Sequence, residues 1–248
     1  MRLDEYLLTR LVEVMVHADD LAVSVALPSP SFPAESSDAI IALFVGMCRR
    51  RNGDTAVIRA FTRRERDAVD ALWVLYDRVL GEDDRFLLSK GHGPTAYYAV
   101  LAAKGFIPIE ELAGFGTFDS PLGYHPDRVL IPGVEISSGS LGHGLPIAVG
   151  VALAGRRTFC LVGDGELDEG SNWEAVQWAG RIGLGALTAI VIDNHSSTYH
   201  WPGGIEKRFA LEGWHAVRVD GRDHDAIEAA LRDRRSGQPS CVVADVRR

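Results

Sequence analysis

The sequence predicts an α/β fold, a central parallel sheet with helices on both faces. Three observations carry this. The second half alternates short strand-like runs with helical ones. The runs are apolar without a polar face, as in Leu187–Ile192, which marks strands buried on both sides. Two of them end in polar, glycine- or asparagine-bearing loops, where open parallel sheets place their ligand crevice.

In chain order, Leu3, Leu7, Leu8, Leu11, Val12 and Met15 repeat at helical spacing. The stretch from Leu27 to Ser37, with three prolines and four serines, reads as a connector. Asp38 caps a helix running to about Arg50. A further helix is expected from Thr62 to Leu80, with Val69, Leu72, Trp73 and Tyr76 on one side. After Arg85 small residues crowd together, and Thr95 to Lys104 forms a helix with Pro94 in its first turn. Residues 105–140 are rich in loop formers, and a loop region that long is more often functional than not. Leu145 to Ala154 is an apolar helix. There follow strand Thr158–Val162, helix Asn172–Ile182, strand Leu187–Ile192, strand Trp214–Val219, helix Asp223–Arg234 and strand Cys241–Val246. With no linker or internal repeat, one domain is expected over residues 1–248.

Composition narrows the function classes. Twenty-six Lys plus Arg against 34 Asp plus Glu give a net charge of −8 over 248 residues. That balance excludes a nucleic-acid footprint. No apolar run reaches the ~20 residues of a membrane span, and Asp4, Glu5 and Glu13 do not suit a signal peptide. Cys48, Cys160 and Cys241 lie in apolar runs and read as reduced, buried thiols, so a cytoplasmic protein is expected. His143, His195 and His200 lack zinc-ligand spacing.

The chemistry concentrates in two loops. In Gly163-Asp164-Gly165-Glu166 the glycines let a ligand approach the main chain, and amides ahead of a helix attract an anion. Asp164 sets a carboxylate at the same place, which requires a bridging cation, with Mg²⁺ the usual one. In Asp193-Asn194-His195-Ser196, Asn194 offers an amide oxygen and Ser196 a carbonyl. Thirty residues separate Asp164 from Asn194, enough for one helix and one return strand. Neither glycine-rich segment fits the dinucleotide or P-loop spacings. The sequence therefore describes a diphosphate–Mg²⁺ site, although Gly-Asp-Gly alone is also a common turn.

Taken with Ser89-Lys90-Gly91-His92-Gly93, Ser138-Gly139-Ser140-Leu141-Gly142, Glu169-Gly170 and Trp173-Glu174-Ala175, these loops resemble the N-terminal half of transketolase over roughly residues 60–235. The length resembles the separate N-terminal subunit of split transketolases. The resemblance implies a thiamine diphosphate (ThDP) binding fold. It implies Mg²⁺ held by Asp164, Asn194 and the main chain of Ser196. Gly163, Gly165 and Glu166 would lie at the diphosphate, His92 by the diphosphate and thiazolium, and Gly139 and Leu141 by the aminopyrimidine. His125 would touch substrate, although Tyr124 stands where the family has glycine. Glu169 and Glu174 would relay protons at a subunit contact, or serve only as helix-start carboxylates.

The implied activity is transfer of a two-carbon ketol unit from a ketose phosphate. No candidate appears for the carboxylate that activates the pyrimidine ring, so a C-terminal, pyrimidine-binding partner subunit is implied, in an α₂β₂ assembly. Two departures stand out. The early Gly-His-Pro-Gly motif is replaced by Ala18-Asp19-Asp20-Leu21, and Val246-Arg247-Arg248 stands where the family continues with Lys-Gly-x-Gly. An altered acceptor is therefore expected, a lipoyl group or a carrier-protein thiol. The alternatives are another ThDP carboligase or decarboxylase component and a non-catalytic regulatory subunit.

Overall fold

The computed structural model describes residues 67–91, 93–198 and 201–246, together with Pro33. The chain divides into two compact units, Met1–Arg64 and Glu65–Arg248, and every element below lies in the second. The helices expected near residues 3–15 and 38–50, and the start of the one from Thr62, lie outside the described residues, so the expectation of one domain over 1–248 includes sequence not described.

Five parallel strands form one sheet: β1 (Arg85–Leu88), β2 (Thr158–Gly163), β3 (Leu187–Asp193), β4 (His215–Asp220) and β5 (Ser240–Asp245), in the order β1-β2-β3-β5-β4. Helices α1 (Val69–Val74), α2 (Pro94–Ala103), α3 (Gly144–Leu153), α4 (Gly170–Arg181), α5 (Ile205–Leu211) and α6 (His224–Arg232) cover it. Period-2 alternation splits each strand between two cores. Phe86, Phe159, Leu161, Ile190, Ile192 and Val242 meet α1, α2 and α6 on one face. Leu87, Cys160, Val162, Val191 and Val243 meet α3, α4 and α5 on the other. Both faces are buried, which is why the strands carry no polar stripe. Cys160 and Cys241 sit fully inside, and burial pushes both thiols well up from their ordinary value.

Local chemistry fixes the helix ends. Pro94 occupies the first turn of α2, where its missing N–H costs nothing. Asp223 caps α6, accepting from the N–H groups of Asp225 and Ala226 at 3.0 Å each. α1 runs into a π-helical turn, Leu75–Val79. Two elements were not expected from the sequence. β1 is only four residues long, and α5 makes only two turns after Gly203-Gly204. Both are too short to display a period. Among the described residues no helix is long and apolar enough to cross a membrane.

Candidate functional site

β2 and β3 are neighbours in register, Gly163 opposite Ile192, so the loops at their carboxyl ends stand side by side. Asp164 is 1% exposed. Its carboxylate accepts from Ser196 N (2.5 Å), Ser196 Oγ (2.7 Å) and Ser197 N (2.9 Å), which draws the β3 loop onto the end of β2. Asn194 donates through Nδ2 to Asp67 Oδ2 at 2.9 Å, while its Oδ1 is buried and has no hydrogen-bond partner. A buried amide oxygen left unmatched costs about 1–3 kcal/mol. A hard cation accepts such an oxygen together with a carboxylate. Asp164 thus grips Ser196, two residues along the loop from Asn194, and a carboxylate with an amide oxygen suits a Mg²⁺ ion in donor type.

The glycines let neighbouring side chains approach the main chain here. A Cβ on Gly163 would stand 3.5 Å from the Lys90 side chain, and one on Gly165 would stand 3.3 Å from Ser196 Oγ. Lys90, passed over as a candidate in the sequence, lays its stem against Gly163 and lends positive charge to the nearby Glu166.

Glu166 is buried and its carboxylate faces the protein. It takes hydrogen bonds from Ser89 Oγ (2.5 Å), Gly142 N (3.0 Å) and Gly163 N (3.3 Å). Ser89 Oγ accepts in turn from Gly144 N at 3.0 Å. One side chain thus ties together three segments: the end of β1, the glycine loop before α3, and the end of β2. Burial raises its pKa, and the three hydrogen bonds oppose that.

The remaining candidates surround this staple. Gly91 and Gly139 approach so closely that a Cβ on Gly91 would fall 2.8 Å from the Gly139 backbone. The His125 ring lies across both, 3.2 Å from where a Gly139 Cβ would be. Gly139 and His125 therefore share one surface, and Leu141 is exposed two residues on. Glu169 is the exposed N-cap residue of α4 and Glu174 is exposed one turn on. Glu169 abuts Gly142, whose positive φ of 80° and tight neighbours admit only glycine. His92 lies outside the described residues.

Beyond Asp164 a cavity of about 500 Å³ opens between the β3 loop and α5, lined in part by Asp193, His195, Trp201, Glu206 and Arg218. Arg218 pairs there with Asp193 (2.8 Å), Glu206 (2.9 Å) and Asp245 (3.0 Å). Trp201 donates to Asp164 O at 3.4 Å, and the Arg208 guanidinium stacks over both Trp173 and Trp201.

Residues 73–246 match the family described as transketolase, thiamine diphosphate binding domain. The chain is 54% identical over 196 residues to a Rhodococcoides fascians protein named Ferredoxin fas2, covering 73% of this chain and 64% of that one. It is 36% identical over 199 residues to an apulose-4-phosphate transketolase subunit from Actinobacillus succinogenes, covering 71% and 72%. Among solved structures, the transketolase from Leishmania mexicana matches with a TM-score of 0.62 at 28% identity, over 77% of this chain and 31% of that one. The chain thus spans less than two thirds of several relatives it matches.

Proposed function

Because this chain belongs to the transketolase family through its thiamine diphosphate binding domain, we propose that it anchors the cofactor diphosphate through Mg²⁺ in a two-component enzyme. That enzyme transfers a two-carbon ketol unit from a ketose phosphate donor. The observation that carries this reading is the buried, unmatched Oδ1 of Asn194, two residues before the Ser196 that the buried carboxylate of Asp164 holds.

Asp164, Asn194 and the main-chain oxygen of Ser196 hold the ion. The amides around Gly163 and Gly165 receive the diphosphate, with the Lys90 charge beside them. Glu166 keeps the three loops in place from beneath. Gly139 and Leu141 border the aminopyrimidine, His92 serves the diphosphate and thiazolium, His125 serves substrate, and Glu169 and Glu174 stand at the subunit contact. When bound, ThDP supplies the nucleophilic carbon and the electron sink for carbon–carbon cleavage. The chain itself binds, orients and excludes water.

A partner subunit carrying the pyrimidine-binding half completes the site, in an α₂β₂ assembly. Relatives named as transketolase subunits support this. So does α3, which is apolar around its whole circumference yet leaves Ile147 and Leu153 exposed, while the neighbouring α4 exposes Trp178 and Ile182. A helix apolar on all sides normally has cover.

Calorimetry on the assembled complex tests the reading. Saturable ThDP uptake that requires Mg²⁺ and is lost in Asn194→Ala supports it, and no uptake by the wild type sinks it. The acceptor is the altered part, a lipoyl or carrier-protein thiol in place of an aldose phosphate. Incubation with a ketose phosphate and ribose 5-phosphate decides it, because robust heptulose formation would refute that acceptor.

A further inference from the structure

The β3 loop is held by two carboxylates, and only one of them belongs to the diphosphate turn proper. Asp168 closes the short 3-10 turn Glu166–Asp168 that follows β2. Its Oδ1 accepts from Ser197 Oγ at 2.7 Å and its Oδ2 from Thr198 N at 2.9 Å. Asp164 takes the donors of Ser196 and the N–H of Ser197. Five consecutive donor groups of residues 196–198 are therefore divided between two side chains four positions apart. Just ahead of them His195 adopts φ 57°, a left-handed backbone that a residue with a Cβ keeps only when its surroundings over-determine it. Asn194 and Ser196, the two residues of this loop proposed above to hold the cation, flank that strained link.

We propose that Asp168 is a positioning residue for the cation: by gripping Ser197 and Thr198 it fixes the loop that presents Asn194 and Ser196 to Asp164. The inference rests on the Mg²⁺–ThDP reading of the site. Without Asp168, Ser197 Oγ and Thr198 N turn to water. The strain at His195 can then relax, and the two loop oxygens leave the place where Asp164 waits. The carboxylate acts entirely through the loop, and nothing requires it to touch the ion.

The test is Mn²⁺ titration of the assembled complex with ThDP present, read by electron paramagnetic resonance. Loss of a residue that orients a metal ligand typically weakens metal binding 10–100-fold, and Asp168→Ala is expected in that range. Asp168→Asn keeps one acceptor oxygen and is expected between wild type and Asp168→Ala. Ser197→Ala removes one of the two bonds and should also fall between. Adding Ser197→Ala to Asp168→Ala should weaken binding little further, since the shared bond is already gone. A purely stabilising role would lower the melting temperature and leave Mn²⁺ affinity of the folded complex unchanged. That result, in Asp168→Ala or, should it not fold, in Asp168→Asn and Ser197→Ala, overturns the proposal while the wild type still binds. A wild type that takes up no Mn²⁺ overturns the reading of the site along with it.

Discussion

The loops at the ends of β2 and β3 and the long connection through residues 105–140 are both irregular, yet they are built on opposite principles. The first pair is sewn by buried carboxylates: Glu166 binds three segments, and Asp164 and Asp168 together hold residues 196–198. The long connection uses short-range, exposed bonds such as Thr117 Oγ1 to Gly114 O and Val129 N to Asp127 Oδ1. Its deeper ties are packing and scattered single bonds: Leu122, Ile131 and Val134 sit in the core, Phe115 packs between the rings of Tyr98 and Tyr124, Tyr98 Oη donates to Gly123 O, and Tyr97 Oη donates to Gly133 O. Burial pushes the Tyr98 phenol up to about 12, so that anchor stays protonated and donating at neutral pH. The difference teaches where this chain spends its order. Residues 196–198 are over-determined by two carboxylates, while much of the long connection is bonded to its own near neighbours.

The comparison is broken most sharply at Asp164. Asp164→Ala should lower Mn²⁺ affinity of the complex by more than about 100-fold, beyond the effect of losing a supporting bond, in the same resonance titration. Thr117→Ala should leave it unchanged. Glycines come next. A Cβ on Gly144 would fall 2.3 Å from Ser89 Cβ, whereas one on Gly105, at φ 79°, meets nothing within 4 Å. Gly144→Ala should cost about 3 kcal/mol in urea unfolding through overpacking, and Gly105→Ala only about 1 kcal/mol for its left-handed backbone.

Ser89→Ala strips Glu166 of a donor and leaves Gly144 N without its acceptor, and about 1–3 kcal/mol of lost stability is expected in the same assay. Thr117→Ala should stay within about 0.5 kcal/mol. The smallest effect is a slope. Glu166 titrates higher in the folded chain than its ordinary 4.5, so folding binds a proton in that window. The stability from this group is fully present below the unfolded value and is lost as pH rises through the raised folded one. Glu166→Gln should therefore flatten the fall of melting temperature with rising pH above 4.5, and an unchanged slope would contradict the assignment.

Much of this was legible beforehand because β-branched runs and helix caps are local. Leu187–Asp193 and Asp223 carry their signals within a few residues, and the loops of Gly163-Asp164-Gly165 and Asn194 could be set at the ends of neighbouring strands because each follows an apolar run directly. The supporting residues were not legible. Asp67 reaches Asn194 across 127 positions, and the grip of Asp168 on Ser197 across 29, so no window contains both ends. Glu166 looked like part of the diphosphate turn because spacing cannot tell which way a side chain points, and it proves to face inward to Ser89 and Gly142. Lys90 looked like one more residue of a small-residue motif until the sheet brought it against Gly163.

The two thiols sealed in β2 and β5 give the sheet a clock of its own. With burial holding them protonated and out of reach, an alkylating reagent modifies Cys160 and Cys241 only when those strands part. The pace at which each gains mass therefore times the breathing of the scaffold beneath the site.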